Sequence, residues 1–205
     1  MGIPVGDPLI IKNMSAQPLG LLDFTVTDGA AIGLKNCRST SYTNDIETGH
    51  AFIEVECPVF TLEGSYALES SPTFLALTSG IHVHGKGKGT ATIENLKLNL
   101  DVAYEVKKHA DCELYFELKP QESSYTYEVL GKITLDINNV SVGSQDVSTV
   151  TNNIINENWK VLVNIIGKPF FDKAFEIFYE NAQKLFDNVP ITSITTEDLS
   201  SYVKN

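Results

Sequence analysis

The residues of this 205-residue chain that could carry chemistry are His82 and His84, three cysteines, and the alternating run Gly85-Lys86-Gly87-Lys88-Gly89. On a strand, an H-x-H pair puts both imidazoles on one face, as some metal sites require. A metal needs a third ligand, however, and nothing nearby supplies one, so a solvated strand face is the better reading. Lysines alternating with glycines suggest a phosphate cradle. No GxxxxGK[ST] frame exists and no helix start follows, so the run reads instead as a strand with a bare groove for close approach, or as a bulge. Gly131 is read the same way. His109, Asp111 and Cys112 fall at a hairpin turn, where a Cys–His nucleophile pair would lack an orienting partner and a cleft. The G-x-S-x-G, C-x-x-C and H-E-x-x-H patterns are absent. The sequence gives no positive reason to expect an enzyme, a cofactor or a bound metal.

Bulk properties narrow the alternatives. Hydrophobic content of 42% with 20% charged residues describes a globular chain with one sizeable core. A formal charge of −11 excludes nucleic acid as a partner and disfavours docking on anionic membranes. No run approaches the roughly 18 uncharged apolar residues of a membrane span, so stable membrane insertion is not expected. A soluble monomer is. Met1-Gly2 before Ile3-Pro4 reads as an added start on a mature or trimmed chain. Two sequons, at Asn13 and Asn139, favour secretion. Cys37 and Cys57 lie symmetrically about Glu47, where a hairpin turn from Asn44-Asp45 to Gly49 is expected. They form either a cross-strand disulfide or two buried thiols, with Cys112 as a third.

The elements that must position these residues are mostly strands over 1–145, then a long helix over 146–188 and a tail over 189–205, in one domain spanning 1–205. Strands are expected at Leu21–Asp28, Ala31–Ser39 and Ala51–Phe60. Short ones are expected at Ser65–Glu69 and Thr73–Leu77, round a turn at Ser70-Ser71-Pro72. Leu96, Leu98, Leu100, Val102, Tyr104 and Val106 alternate with polar or small residues, which specifies a half-buried strand. Its partner is Cys112–Leu118, and a third long strand carries Tyr125, Tyr127, Val129, Ile133, Leu135 and Ile137 on one face. Long strands joined by short turns mean a curved antiparallel sheet with one dry face.

The spacing then changes. Val147, Val150, Ile154, Val161 and Ile165 form one helical stripe, and Ile155, Trp159, Leu162 and Ile166 a second about 100° away. Two stripes predict that most of the helix circumference is covered, as by a sheet wrapped around it. Gly167-Lys168-Pro169 is expected to break the helix, Gly closing one segment and Pro opening the next. Five phenylalanines follow in seventeen residues, ending at Phe186. Such rings suit packing or the wall of an apolar pocket.

Taken in order, these segments resemble the insect takeout and juvenile-hormone-binding protein family. The opening GIPVGDPLIIKN (2–13) is similar to the family's Gly-Ile-Pro…Asp-Pro-Leu entry. CPVFTLEGSYAL (57–68) resembles its strand leading into Gly-x-Tyr, followed by a Gly-x-Gly stretch matched at Gly85 to Gly89. IINENW (154–159) resembles its Leu-Asn-Glu-Asn-Trp helix signature. Two departures stand out. The family's N-terminal helical segment with a cysteine pair is expected either to have been removed ahead of 2–13 or to be lacking in this branch, and its Leu-Phe-Asn-Gly-like stretch is altered to VSVGSQDVSTV (140–150).

The resemblance implies an α+β fold: a long, kinked C-terminal helix wrapped by a strongly curved antiparallel sheet, elongated, with an internal apolar tunnel. It also implies a secreted carrier of a hydrophobic small molecule such as a juvenoid, fatty acid, carotenoid or other terpenoid. On the helix side the expected lining is Trp159, Leu162, Ile166, Phe170, Phe171, Phe175 and Phe178. On the sheet side it is Leu98, Leu100, Val102 and Tyr104, with Tyr104, Tyr125 or Tyr127 holding a ligand oxygen. The competing expectation is an interaction or signalling protein of the same fold, its interior filled by side chains.

Overall fold

The computed structural model describes residues 7–203, apart from the side chains of Pro18, Leu162, Ile165 and Ile166. Two long antiparallel strands form its spine, β4 (His50–Ser70) and β5 (Val83–Lys108). Outwards from β4 run β2 (Leu22–Ile32) and then β1 (Leu9–Ala16), while β3 (Arg38–Asp45) pairs with the first part of β4. Along β5 lie, in turn, β6 (Leu114–Leu118), β7 (Ser124–Val129), β8 (Ile133–Ile137) and β9 (Val140–Val142), the last paired with β10 (Gln145–Asp146). The ten-stranded sheet is open. Its concave face holds α3 (Trp159–Phe186), which meets β1 on one side and β6 and β8 on the other. α2 (Ser148–Glu157) leads into α3.

Alternation along β5 decides which residues face α3. Gly85, Gly87, Gly89, Ala91 and Ile93 point inwards; after a kink at Asn95 (φ 50) the parity changes and Leu96, Leu98, Leu100, Val102 and Tyr104 take over. Pro58 stands opposite Asn95, at a place where a ladder can spare a donor. Gly131 approaches the same kink so closely that a Cβ there would sit 2.7 Å from the Glu94 carbonyl oxygen. Gly29, Gly64 and Gly89 lie side by side on β2, β4 and β5.

Several boundaries differ from expectation. The strands expected at 51–60 and 65–69 are one strand, because the kink keeps the ladder running through Pro58. Residues 73–77 are not a strand but α1 (Pro72–Leu77), started by the Ser71 hydroxyl accepting from Phe74 N–H with Pro at the first position. The second strand runs through Asp28 to Ile32, and β3 begins only at Arg38 after a 3₁₀ turn. The strand expected to start at Cys112 begins at Leu114, and the long third strand is split at Gly131 into β7 and β8.

The helix is corrected in two ways. It breaks at Asn158, whose Nδ2 donates to the Ile154 carbonyl, and runs unbroken through Gly167 and Pro169 over 28 residues, about 42 Å. Gly167 is a point of close approach: its Cβ would lie 3.0 Å from the Tyr127 hydroxyl. Three members of the first apolar stripe are also not covered: Val150, Ile154 and Val161 are 58%, 56% and 60% exposed, while Val147 packs against the cluster of Tyr66 and Val140. Asn152 and Asn156 turn a polar face of α2 to the sheet and leave Val150 and Ile154 outside.

The whole chain exposes 12077 Å², against about 9,500 Å² for a compact monomer of this size. An open sheet and a long helix account for the excess. Cys37 and Cys57 are joined in a disulfide with a Cα–Cα distance of 4.1 Å, tying the strand-β3 entry to β4. Its closed loop spans 20 residues, worth about 3 kcal/mol through the unfolded chain. The double variant Cys37→Ala/Cys57→Ala is expected to lose that much in urea melts; an unchanged midpoint would show that the cross-link adds nothing.

Candidate functional site

The seam between α3 and the sheet collects most of the expected residues. Leu98, Leu100, Val102 and Tyr104 face inwards from β5, with Tyr127 and Tyr125 opposite Leu98 and Leu100 on β7. α3 lays Phe171 on Tyr127 with ring centroids 3.8 Å apart, and Phe175 on Tyr125 at 4.5 Å. Phe171 joins the cluster of Cys57, Phe60, Ile93 and Leu96; Phe175 joins that of Ala51, Val102, Tyr104, Leu118 and Tyr179. Phe170 goes elsewhere, to Ile11, Met14 and Ala31 under β1 and β2. Phe178 is 40% exposed, and Trp159 is half-buried at the start of α3 with the Lys160 ammonium 5.6 Å from its ring. Leu162 and Ile166 lie on α3, with side chains outside the described residues.

Each of the three tyrosine hydroxyls donates to the protein itself. Tyr104 donates to Asn44 Oδ1 at 2.6 Å, Tyr127 to the Val163 carbonyl at 3.3 Å, and Tyr125 to Asp172 Oδ1. They are left able to accept from a ligand hydroxyl rather than to donate to a ligand carbonyl. Burial raises all three phenol pKa values; for Tyr125 the bond to Asp172 adds to it.

Asp172 also takes both 2.7 Å contacts from Lys168 Nζ, so β7 is latched to α3 at its solvent edge. Burial opposes its ionisation, but the bonds from Lys168 and Tyr125 outweigh it and hold the carboxyl below its ordinary 3.8. A carboxyl lowered on folding stabilises above its unfolded value, and that contribution disappears as pH falls through the folded one. Asp172→Asn is therefore expected to flatten the acid limb of melting temperature against pH as pH falls through and below the ordinary 3.8. Parallel curves for variant and parent would rule the latch out.

Side-chain amides attach α2 to the sheet. Asn152 and Asn156 each present Oδ1 to a backbone N–H of β8 and Nδ2 to the carbonyl of the same residue, at Ile137 and Leu135. The amide group imitates a neighbouring strand. The spacing fits because four helical residues rise about 6.0 Å and two strand residues about 6.6 Å. Gln183 Oε1 of α3 accepts from Leu118 N–H on β6, while its Nε2 donates to Asp187 Oδ1. The Asn-Glu-Asn-Trp signature is thus structural: Asn156 grips β8 and Asn158 closes α2.

The glycine run has a similar explanation. Tyr66 lies over Gly85 and Gly89, and its hydroxyl donates to the Asn138 carbonyl. A Cβ on Gly85 would stand 3.0 Å from that hydroxyl, so the groove receives an aromatic ring. Two open hollows of about 370 and 480 Å³ lie over this glycine-bearing region, sharing Ser65 and Lys88. None of the expected lining residues borders them. His82 and His84 stack at 4.8 Å, and His82 Nε2 is 2.7 Å from Glu69 Oε1. Among the described residues no group of three or more His, Cys, Asp or Glu side chains could hold a metal ion, and no helix is long and apolar enough to cross a membrane.

Other aromatic residues of the seam escaped the sequence reading. Phe24 meets Phe170 at 5.9 Å, Phe116 meets Phe186 at 5.7 Å, and Tyr179 packs edge-on against Phe175 at 4.8 Å. Tyr179, four residues after Phe175, carried a helical signal; Phe24 and Phe116 carried only strand alternation.

The model of the haemolymph juvenile hormone binding protein family matches residues 1–196. The crystal structure of Takeout 1 from Epiphyas postvittana superposes with a TM-score of 0.83 at 22% identity, covering 96% of this chain and 86% of that one. The likeness to that structure is one of fold. No curated relative matches the chain in sequence.

Proposed function

Because the chain belongs to the haemolymph juvenile hormone binding protein family, we propose that it is a secreted, non-enzymatic carrier of an elongated apolar molecule held between α3 and the sheet. One observation carries this reading. Beside α3 the inner face is lined by apolar side chains that folding leaves only partly buried, among them Phe24, Leu62, Leu98, Leu100 and Leu135. A ligand covering about 300 Å² of such surface gains on the order of 7 kcal/mol before ordering costs. Juvenoids, fatty acids, carotenoids and other terpenoids fit that chemistry.

A second reading has its own support. Phe171 and Phe175 rest directly on Tyr127 and Tyr125, which suits an interaction protein with a filled interior. Native mass spectrometry of protein from its own source, followed by solvent extraction, separates the two. A stoichiometric adduct lost on denaturation supports the carrier. Bare protein whose melting temperature is unmoved by juvenoids, fatty acids and carotenoids supports the filled interior; a ligand at 100 times its Kd would add about 2.7 kcal/mol.

A further inference from the structure

We propose that the protein docks on neutral lipid surfaces through one end of its sheet, where Leu19, Leu77 and Ile81 stand out from uncharged loops. The inference goes beyond ligand carriage and needs no ligand, so it stands or falls separately from the carrier reading.

The sheet brings these loops together. Leu22 of β2 lies opposite Ser70 of β4, Glu69 opposite His84 of β5, and Val83 opposite Val142 of β9. The turn at Pro18–Gly20, α1 with its exit, and the β9–β10 turn therefore share one end of the molecule. Ser71 ties the first two, its N–H donating to the Leu21 carbonyl at 3.0 Å and its hydroxyl to the Gly20 carbonyl at 2.8 Å. Gly143 N–H adds the third by donating to the His82 carbonyl at 3.0 Å. At the end of α1 the Phe74 and Leu75 carbonyls accept from Thr78 and Gly80 N–H, so this backbone enters an apolar boundary with those groups already paired.

The side chains presented there are apolar. Leu19, Leu77 and Ile81 are 70%, 73% and 50% exposed. Leu19 also has φ 55, a left-handed conformation that a bulky residue seldom adopts, and the strained turn leaves it in solvent. No Asp, Glu, Lys or Arg falls in 17–22, 70–81 or 140–145, although charged residues are 20% of the chain. The charges that flank these segments are engaged: Asp23 by Gln17 Nε2 at 2.6 Å, Glu69 by His82 Nε2 at 2.7 Å, and Asp146 by Ser148 N–H at 2.8 Å.

That composition selects the occupant. Protein partners are gripped chiefly through Trp, Tyr and Arg, whereas leucine, serine, threonine and valine are under-represented among such anchors. The three segments contain no Trp, Tyr or Arg, and set aliphatic side chains among serine, threonine and glycine. Aliphatic groups without a counter-charge suit the boundary between lipid headgroups and acyl chains, where attachment scales with the apolar area buried. The formal charge of −11 carried elsewhere opposes an anionic surface, which leaves neutral lipid. With so few side chains entering, the attachment is shallow and reversible.

The test is flotation of the whole chain, free of ligand, with vesicles of phosphatidylcholine alone. The parent is expected to float with them. Leu77→Ser/Ile81→Ser is expected to lose about tenfold in vesicle affinity with its melting temperature unchanged, because both side chains already lie in water. Val150→Ser/Ile154→Ser removes a similarly exposed apolar pair from α2 and is expected to float like the parent. Adding phosphatidylserine is expected to weaken binding. A parent that ignores phosphatidylcholine, equal losses in the two double variants, or binding strengthened by phosphatidylserine overturns the proposal. So does self-association of the parent that the Leu77→Ser/Ile81→Ser variant lacks, which would make this end a contact between copies. Ligand retention measured in parallel keeps the two readings apart: vesicle binding without a ligand counts only against the carrier, and a held ligand without vesicle binding only against the docking surface.

Discussion

Phe171→Ala is expected to lower unfolding stability by about 2–4 kcal/mol and to weaken retention of any apolar ligand at least tenfold. Truncating a fully buried phenylalanine costs about 3–5 kcal/mol; Phe171 is only half-buried, which trims the figure, while its stack on Tyr127 adds about 0.5–1.5 kcal/mol. Its cluster is central, joining Cys57, Phe60, Ile93 and Leu96 from both long strands. A hole there reaches the disulfide as well as the helix. Phe171→Leu separates the two roles, since it keeps most of the volume but loses the flat face. Loss of ligand with stability held within about 1.5 kcal/mol would make Phe171 a binding wall. Equal loss of both would make it core. Urea melts run beside ligand titration give both numbers.

The double variant Asn152→Ala/Asn156→Ala is expected to release α2 from β8. It strips partners from the N–H and C=O groups of Leu135 and Ile137, and each orphaned backbone group costs about 1–3 kcal/mol if it stays dry. Water will reach part of this edge, so a total of about 3–5 kcal/mol is expected. The local signature is sharper. In native-state hydrogen exchange, the amides of Leu135 and Ile137 should exchange at least a hundredfold faster, with the amides of Val102 and Tyr104 slowed or hastened only by the global change. Protected amides at 135 and 137 in the double variant would show that α2 docks by apolar contact alone.

The sheet was legible because its signal is strong and local. Leu96 to Val106 alternate without a fault, and the structure places those residues inwards on β5. The long helix was legible from its apolar repeats, yet its orientation was not. Counting apolar stripes assumes that a helix meets its sheet through oil, whereas α2 meets β8 through Asn152 and Asn156, and Val150 and Ile154 face outwards as a result. No spacing rule marks an asparagine as a strand mimic. Gly167 misled for a related reason: the same residue type ends helices and permits close contact, and only Tyr127 on a distant strand shows which applies. At the seam, the pairing of Phe171 with Tyr127 and Phe175 with Tyr125 depends on how far α3 slides along the sheet. That is a tertiary property with no local trace. Phe170, one residue from Phe171, ends in a different cluster for the same reason.

An open sheet is a hazard in a concentrated fluid, because unpaired strand edges recruit strands from other molecules and seed aggregates. Where β8 would present its edge, the amides of Asn152 and Asn156 already occupy both donors and acceptors. Gln183 fills one position on β6. These side chains act as stoppers as well as fasteners. A variant lacking them faces a loss that no stability curve records, in the form of turbidity and shortened shelf life at protein concentrations the parent tolerates.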